Sequence, residues 1–249
     1  MPRYFLTIEY DGTPFVGWQR QAEGVSVQGA LEEAIEKFCG ETVIVRGAGR
    51  TDSGVHALGQ VAHVDLTKDW QPSRVCDAIN AHLRPLPAVV IGCAQVSSQF
   101  DARFTAIERS YLYRILTRRA PPVLDRNRVW WLPGPLDAPG MADAARVLVG
   151  HNDFTTFRAT QCQATSPMKT LERFDVERIG DEIRCTVVAR SFLHNQVRSM
   201  VGSLKHVGEG KWTRADLANA LAARDRTACG TVAPATGLYL AGVRYPDAC

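Results

Sequence analysis

The chain is organised around Gly47-Ala48-Gly49-Arg50-Thr51-Asp52-Ser53-Gly54-Val55-His56-Ala57-Leu58-Gly59-Gln60-Val61-Ala62-His63. This segment places one arginine and one aspartate among four glycines and few bulky side chains. Glycine reaches backbone conformations closed to other residues and adds no side chain that would block an approaching ligand. The sequence therefore predicts a loop whose backbone comes close to another group.

Apolar and β-branched residues flank this loop, at Val43–Val45 before it and Val61–Val64 after it, and both flanks are typical of half-buried strands. Asp52 would then lie on a loop held at both ends by rigid elements, where catalytic groups are often placed. The alternative is that Asp52 caps a turn and Arg50 is solvated, and the residue pattern alone does not decide between the two. A phosphate-binding P-loop is excluded because the Gly-Lys-Ser/Thr ending is missing.

The composition is that of a folded, water-soluble protein, with 45% hydrophobic and 22% charged residues. Its 249 residues suffice for one large domain or two modest ones. No apolar run approaches the length of a membrane span, and Met1–Tyr4 leads into a strand pattern without a signal peptide's apolar core. We therefore expect no membrane association and a cytoplasmic location.

The cysteine pattern predicts reduced thiols and no metal site. Seven cysteines are scattered along the chain, at positions 39, 76, 93, 162, 185, 229 and 249. An odd number without an export signal argues against a disulfide framework. No Cys-x-x-Cys pair is present, so the usual ligand spacing of a zinc site is missing.

Arginine and aromatic residues are concentrated in the middle of the chain. They are Arg103, Phe104, Arg109, Tyr111, Tyr113, Arg114, Arg118, Arg119, Arg126, Arg128, Trp130 and Trp131. A surface that neutralises phosphates and stacks on bases needs this combination. Ordinary core aromatics beside a solvated strand edge would give the same pattern, and the net charge of +3 does not decide between them.

Periodicity predicts strands and helices that alternate without the regular rhythm of a doubly wound sheet. Arg3–Tyr10 and Phe154–Phe157 are predicted as strands, and Phe192–Val207 as a helix on which His194 and Arg198 share a flank. This favours an α+β protein with a mixed, largely antiparallel sheet and flanking helices in each of two halves. We place the division near residue 105, giving halves 1–105 and 106–249.

Five motifs taken together closely resemble the tRNA pseudouridine synthase A family. They are Gly49-Arg50-Thr51-Asp52-Ser53-Gly54-Val55-His56-Ala57, Phe100-Asp101-Ala102-Arg103-Phe104, Tyr111-Leu112-Tyr113-Arg114, Phe192-Leu193-His194-Asn195-Gln196-Val197-Arg198 and Gly237-Leu238-Tyr239-Leu240. They occur in the family's order and cover nearly the whole chain. The resemblance implies two similar α/β halves with an active-site cleft between them, and a homodimer without cofactor or metal. It also implies isomerisation of uridine to pseudouridine at positions 38, 39 and 40, in the anticodon stem-loop of tRNA.

The resemblance also implies a role for individual residues. Asp52 matches the family's nucleophile and Arg198 the basic residue that pairs with it. Tyr111 matches a tyrosine that packs on the reacting uracil, and Leu238 an apolar wall of the base pocket. Arg50 matches an arginine that helps to extrude the target base and fills its place.

Two segments match RNA-contacting parts of the family. The first is Phe100-Asp101-Ala102-Arg103-Phe104, and the second is Gln163-Ala164-Thr165-Ser166-Pro167. Relatives often carry an arginine in the second segment where this chain has Thr165, and Lys169 is the nearest substitute.

The chemistry explains why such residues are needed. A nucleophile that forms a transient covalent adduct divides one difficult step into easier ones, and the carboxylate of Asp52 adds either to the uracil ring or to the ribose carbon. Burial beside a base favours the inert, protonated carboxyl, whereas the Arg198 guanidinium favours the carboxylate. The base must also leave its stack, which costs a few kcal/mol, and stacking on Tyr111 returns about 1–3 kcal/mol.

Two other interpretations remain at this point. One is the same chemistry on another RNA. The other is a tRNA-binding chaperone with a vestigial site, which has no need for Asp52 and Arg198 together. His56 and His63 are left out of the catalytic set, because a histidine beside a strand more often serves hydrogen bonding.

Overall fold

The computed structural model describes residues 1–246, and these form an α+β protein. The strands are β1 (Arg3–Tyr10), β2 (Arg46–Gly47), β3 (His56–Asp65), β4 (Ala88–Val96), β5 (Glu108–Leu116), β6 (Trp130–Trp131), β7 (Gly150–Asp153), β8 (Met168–Ile179), β9 (Glu182–Ala189) and β10 (Leu238–Arg244). The helices are α1 (Val27–Cys39), α2 (Pro72–Leu83), α3 (Ala138–Ala145), α4 (Gln196–Gly208) and α5 (Arg214–Ala223). Most strand pairs are antiparallel, so the predicted fold class is confirmed.

The first of two compact units contains residues 1–108 and the chain from Tyr239 onward. Its strands lie in the order β4, β1, β3, β10, with β2 beside β3. On β1, every second side chain is buried, namely Tyr4, Leu6, Ile8 and Tyr10. Helices α1 and α2 pack on each other, and α2 packs on β4.

The second unit, Arg109–Leu238, has its own strands and helices. Its strands lie in the order β5, β9, β8, β7, with β6 parallel to β5. Tyr113 on β5 faces Cys185 on β9, and both side chains are fully buried. Helix α3 packs on β8 and on α4, and α5 contacts both helices.

The predicted halves and the observed units differ at two places. The first unit extends to Glu108 rather than to residue 105, and it also takes the last strand of the chain. Strand β10 runs parallel to β3, with Tyr239 opposite His56, and the Ile107 amide donates to the Arg244 carbonyl oxygen at 3.0 Å. Long-range pairing of this kind is not visible in local sequence patterns, which explains the difference.

Two predicted strands are wrong because carboxylate side chains accept hydrogen bonds from backbone amides in these segments. Val45 gives its amide to the Glu32 carboxylate at 3.0 Å, so Val43–Val45 is not a strand and β2 begins at Arg46. The Asp153 carboxylate accepts from the amide of Thr155 at 2.9 Å. Phe154–Phe157 therefore contains a 3-10 turn, Thr155–Phe157, rather than a strand.

The predicted helix Phe192–Val207 begins four residues late, at Gln196. Asn195 has φ 62°, a left-handed conformation that cannot belong to a right-handed helix. His194 therefore precedes α4 and does not share a helical flank with Arg198, which corrects the prediction.

The six described cysteines are free thiols, in agreement with the prediction, and Cys249 lies outside the described residues. Within residues 1–246, no helix is long and apolar enough to cross a bilayer. In the same residues, no group of three or more His, Cys, Asp or Glu side chains could hold a metal ion.

The two glycines of α4 provide a stability test. A Cβ on Gly202 would overlap the Thr231 carbonyl oxygen, whereas a Cβ on Gly208 would meet the movable end of Met141 at 2.6 Å. We expect Gly202→Ala to lower the free energy of unfolding by about 2 kcal/mol. The matched Gly208→Ala should stay within about 1 kcal/mol of wild type, because Met141 can move and alanine favours the helix. Urea unfolding compares the two, and equal losses would contradict the close packing at Gly202.

Candidate active site

Asp52 lies half-buried on the loop between β2 and β3. The Val55 amide donates to the Asp52 carbonyl oxygen at 3.1 Å, and this bond closes a turn at Ser53 and Gly54. Gly54 has φ 77°, a conformation that glycine tolerates best. Arg50 precedes this turn and is exposed.

The segment Asp11–Trp18 holds this loop in place. The Trp18 amide donates to the Thr51 carbonyl oxygen at 3.0 Å, and the Ser53 hydroxyl donates to the Phe15 carbonyl oxygen at 3.2 Å. The hydroxyl groups of Tyr10 and Thr51 lie 2.8 Å apart. The residues on both sides of Asp52 are therefore fixed from outside the loop.

Two glycines of the holding segment allow this approach. A Cβ on Gly12 would overlap the Val55 carbonyl oxygen, and a Cβ on Gly17 would lie 2.7 Å from the Thr51 carbonyl oxygen. Gly17 also has φ 114°. Sequence analysis missed both positions, because turn patterns do not show what the backbone contacts.

His56, directly after the loop, is buried and has a structural role. Its Nδ1 accepts the amide hydrogen of Gly12 at 3.0 Å, and its ring stacks on Tyr239 with the centroids 4.7 Å apart. The imidazole therefore ties β3 to the holding segment on one side and to β10 on the other.

The first predicted RNA-contacting segment, Phe100–Phe104, forms a tight turn in the first unit. The Asp101 carboxylate accepts from the amides of Arg103 at 2.8 Å and Phe104 at 2.9 Å. Burial raises the pKa of Asp101, but these amide donors outweigh it and leave the pKa below its ordinary value. Asp101 therefore stays ionised and keeps the turn closed at neutral pH.

The members of this segment divide into buried and exposed residues. Phe100 and Ala102 are buried in one cluster with Ala48, at the start of the Asp52 loop. Arg103 and Phe104 are exposed, and the guanidinium carbon of Arg103 lies 5.5 Å from the centre of the Phe104 ring. The turn thus presents a cation and an aromatic ring to solvent.

Two residues that sequence analysis did not assign to a site support this turn. His63 Nδ1 accepts the Ala102 amide hydrogen at 3.0 Å, and the Tyr245 hydroxyl donates to the Ala102 carbonyl oxygen at 2.7 Å. Burial and the nearby Arg3 charge lower the pKa of His63. The imidazole is therefore neutral at pH 7 and able to accept this bond.

The second predicted RNA-contacting segment, Gln163-Ala164-Thr165-Ser166-Pro167, has no regular secondary structure. Its end is fixed, because the Phe154 amide donates to the Pro167 carbonyl oxygen at 3.1 Å and the Met168 amide to the Ser166 hydroxyl at 3.2 Å. Thr165 is exposed, and Lys169 follows on β8, where it is half-buried.

Tyr111 and its neighbour Tyr113 lie on β5 in the second unit. Tyr111 is half-buried and contacts Phe192 edge to face, with the ring centroids 5.0 Å apart. Tyr113 is fully buried, and its hydroxyl donates to the Pro234 carbonyl oxygen at 2.8 Å. Of the two tyrosines, Tyr111 is the one with an accessible ring.

Arg198 lies in the first turn of α4 and is half-buried. Its Nε donates to the Ala233 carbonyl oxygen at 2.8 Å, and its Nη1 donates to Asn195 Oδ1 at 2.8 Å. Burial raises the pKa of Tyr113 well above its ordinary value, and the Arg198 charge opposes this rise. Arg198 thus lies close enough to Tyr113 for its charge to act on the phenol hydroxyl.

Leu238, the predicted apolar wall, is buried at the start of β10. It follows Gly237, on which a Cβ would lie 2.7 Å from the Tyr113 ring. Tyr113, Arg198 and the segment 233–237 therefore belong to one packed region of the second unit.

The arginine and aromatic stretch does not form one surface. Arg109 is buried and donates to the Arg190 carbonyl oxygen at 2.6 Å, and Arg114 is paired with Glu182 at 2.8 Å. The members exposed to solvent are Arg103, Phe104, Arg118, Arg119, Arg126, Arg128 and Trp131. Part of this stretch therefore belongs to the packed sheet, and an RNA-binding surface formed by the exposed members stays a prediction.

Comparison with known proteins identifies the family. A family model described as tRNA pseudouridine synthase matches residues 6–105 and 144–246. The chain belongs to this family. Asp52, Arg198 and Leu238 lie within the matched residues, and Tyr111 lies between the two matched parts. The prediction of an isomerase that converts uridine to pseudouridine in tRNA is confirmed at the level of the family.

Individual relatives match over nearly their whole length. A protein of Mesorhizobium japonicum named tRNA pseudouridine synthase A is 62% identical to this chain, and the match covers 99% of this chain and 100% of that protein. The protein of the same name from Azorhizobium caulinodans is 62% identical, and the match covers 99% of this chain and 96% of that protein. The one from Paramagnetospirillum magneticum is 60% identical, and the match covers 98% of this chain and 96% of that protein. A chain of a Cbf5-Nop10-Gar1 complex aligns with a TM-score of 0.35 and 11% identity, over 84% of this chain and 45% of its own, which is too remote to bear on function.

Proposed function

We propose that the chain isomerises uridine to pseudouridine at positions 38, 39 and 40, in the anticodon stem-loop of tRNA, through a covalent adduct of Asp52. The supporting observation is that Asp52 lies half-buried on a loop whose neighbouring residues are fixed by the segment Asp11–Trp18. The reaction breaks the bond from N1 of uracil to the ribose and rejoins the ribose to C5. No group is lost, so the proposal includes no cofactor and no metal.

Asp52 acts as the nucleophile in this proposal. A carboxylate on a fixed backbone reaches the reacting carbon, of the uracil ring or of the ribose, without an added cost of ordering the loop. Tyr111, supported by Phe192 at 5.0 Å, packs on the uracil, and buried Leu238 forms an apolar wall. Arg50, exposed beside Asp52, fills the place that the extruded base leaves.

Arg198 acts as the counter-charge of the Asp52 carboxylate. Two hydrogen bonds at 2.8 Å hold its guanidinium in place before substrate arrives. A positioned positive charge favours the ionised, nucleophilic form of a carboxyl that an RNA base would otherwise desolvate.

The tRNA is bound through the two predicted segments. In Phe100–Phe104 the contacts come from exposed Arg103 and Phe104, while Asp101 keeps the turn closed. In Gln163–Pro167, Thr165 is exposed and Lys169 supplies the positive charge that Thr165 lacks. The proposal also includes a homodimer in the cytoplasm, which sedimentation velocity and cell fractionation would test.

Asp52→Asn should abolish pseudouridine formation in an anticodon stem-loop, with a loss of at least about a thousandfold, because an amide cannot form the adduct. Affinity for tRNA should stay within about threefold, since the substitution removes no cation that binds phosphate. Single-turnover assays and filter binding measure the two quantities.

Asp77→Asn is the matched control, because Asp77 is an exposed aspartate of α2 in the same unit. It should keep full activity. A stem-loop left unmodified by the wild-type protein would instead favour a chaperone with a vestigial site. Modification of other RNA in cells, with uridines 38 to 40 untouched, would favour the same chemistry on another substrate.

Arg198→Met should lower kcat by about a hundredfold or more at neutral pH, because a carboxylate that the RNA base desolvates loses several kcal/mol of stabilisation without its counter-charge. Circular dichroism should show the fold retained, since methionine keeps the length of the aliphatic stem. Full turnover of this variant at pH 7 would refute the counter-charge role.

Arg103→Ala and Phe104→Ala should each weaken tRNA binding with little change in kcat, because both side chains are exposed and neither has a part in the proposed chemistry. Phe104→Ala should cost about 1–3 kcal/mol of binding free energy at any salt concentration if a base stacks on it. Arg103→Ala should reduce the slope of log affinity against log salt by about 0.7–0.9. Arg74→Ala, which removes an exposed arginine of α2, is the matched control, and an equal effect there would contradict a specific role for Arg103.

A further inference from the structure

Asn195 stands at the N-cap of α4 but does not cap the helix with its side chain. An asparagine at this position ordinarily accepts an amide hydrogen from the first turn, which is worth about 1 kcal/mol. Here Oδ1 instead accepts from Nη1 of Arg198 at 2.8 Å. The Asn195 side chain thus forms a hydrogen bond with Arg198 instead of capping the helix.

The backbone of Asn195 makes this contact possible. Its φ of 62° is a left-handed conformation, which few residues other than glycine, asparagine and aspartate adopt readily. The carbonyl oxygen of Asn195 still accepts the Ser199 amide hydrogen at 2.9 Å. Residue 195 therefore combines a special backbone conformation with a side chain that reaches three residues ahead.

The second anchor of Arg198 is a main-chain group. The Ala233 carbonyl oxygen accepts from Nε at 2.8 Å, and the Ala233 amide donates back to the Arg198 carbonyl oxygen at 3.0 Å. Ala233 is fully buried, so this anchor is part of the fold. Asn195 is the anchor that a side-chain substitution can remove.

The Asn195 acceptor is a neutral amide oxygen. A carboxylate at this position would hold the guanidinium more strongly but would cancel much of the field that it exerts on a second carboxylate. The amide of Asn195 fixes the guanidinium without adding a negative charge of its own.

We propose that Asn195 is a positioning residue for the isomerisation, holding the Arg198 guanidinium in its working orientation through a neutral acceptor. The proposal rests on the counter-charge role of Arg198. Asn195 itself need not touch the reacting atoms.

Asn195→Gly and Asn195→Asp test this, since both residues tolerate the left-handed backbone. Asn195→Gly removes the acceptor, and kcat on an anticodon stem-loop should fall about tenfold while KM changes less than twofold. Asn195→Asp keeps an acceptor but makes it anionic, and kcat should fall at least as far. A purely structural role predicts wild-type kcat for both variants. Wild-type kcat in both variants would overturn the proposal, whether or not their melting temperatures change.

The matched control is Asn127→Gly, because Asn127 has φ 61° and is exposed. It should leave kcat and KM unchanged, showing that replacing a left-handed asparagine is not harmful by itself. A loss of kcat in this control equal to that of Asn195→Gly would count against a specific role for Asn195.

A double-mutant cycle with Arg198→Lys provides the second readout. Lysine keeps the charge but lacks the guanidinium fork, so Asn195→Gly should lower kcat less in this background than in wild type. Additive losses would mean that Asn195 does not act through Arg198. If the wild-type protein forms no pseudouridine, the proposed function fails. If the wild type is active and the Asn195 variants match it, only the positioning role fails.

Discussion

The close approach of the segment Asp11–Trp18 to the Asp52 loop is the constraint on which the candidate site in the first unit depends. There is no space for a side chain at Gly12 or Gly17, because the carbonyl oxygens of Val55 and Thr51 occupy it. Backbone groups that meet this closely form hydrogen bonds of fixed geometry, and a loop held in this way loses little further entropy when substrate binds. Asp52 is thereby presented on a rigid support, although it has no regular secondary structure of its own.

In the second unit, glycines likewise allow close backbone approaches, and these place the acceptors of Arg198 and Tyr113. Gly202 of α4 lets the Thr231 carbonyl oxygen approach the helix, and Gly237 lets the chain pack on the Tyr113 ring. These two contacts hold the segment between them against α4 and β5. The Ala233 carbonyl oxygen is therefore in position to accept from Arg198, and Pro234 from Tyr113. In both units, a glycine in one element places a functional group in another.

Local patterns predicted much of the fold, and the exceptions have physical causes. The strand predicted at Arg3–Tyr10 depends on neighbours in sequence, and it is observed as β1. Val43–Val45 and Phe154–Phe157 failed because the Glu32 and Asp153 carboxylates compete for backbone amides, which hydrophobic periodicity cannot show. The parallel pairing of β10 with β3 joins parts of the chain far apart in sequence, so no local signal could have found it.

For the candidate site, the sequence indicated the proposed functional residues but not the residues that support them. The residues that we propose carry the chemistry stood out as unusual motifs, and their proposed roles came from the family resemblance. Their supports did not stand out: His63 and Tyr245 hold the Phe100–Phe104 turn through backbone groups, and Asn195 resembles any helix cap. A supporting residue is defined by what it contacts, so its type alone carries little information.

Arg114 and Arg198, both in the second unit, are held by different kinds of acceptor. Arg114 is bound on two nitrogens by the Glu182 carboxylate, at 2.8 and 2.9 Å, and is thereby committed to stabilising the sheet. Two of the acceptors that hold Arg198 are an amide oxygen and a main-chain oxygen. A carboxylate acceptor cancels much of the field of the guanidinium that it holds, whereas a neutral oxygen adds no negative charge. Asn195 and Ala233 therefore hold Arg198 in place without themselves weakening the effect of its charge on another group.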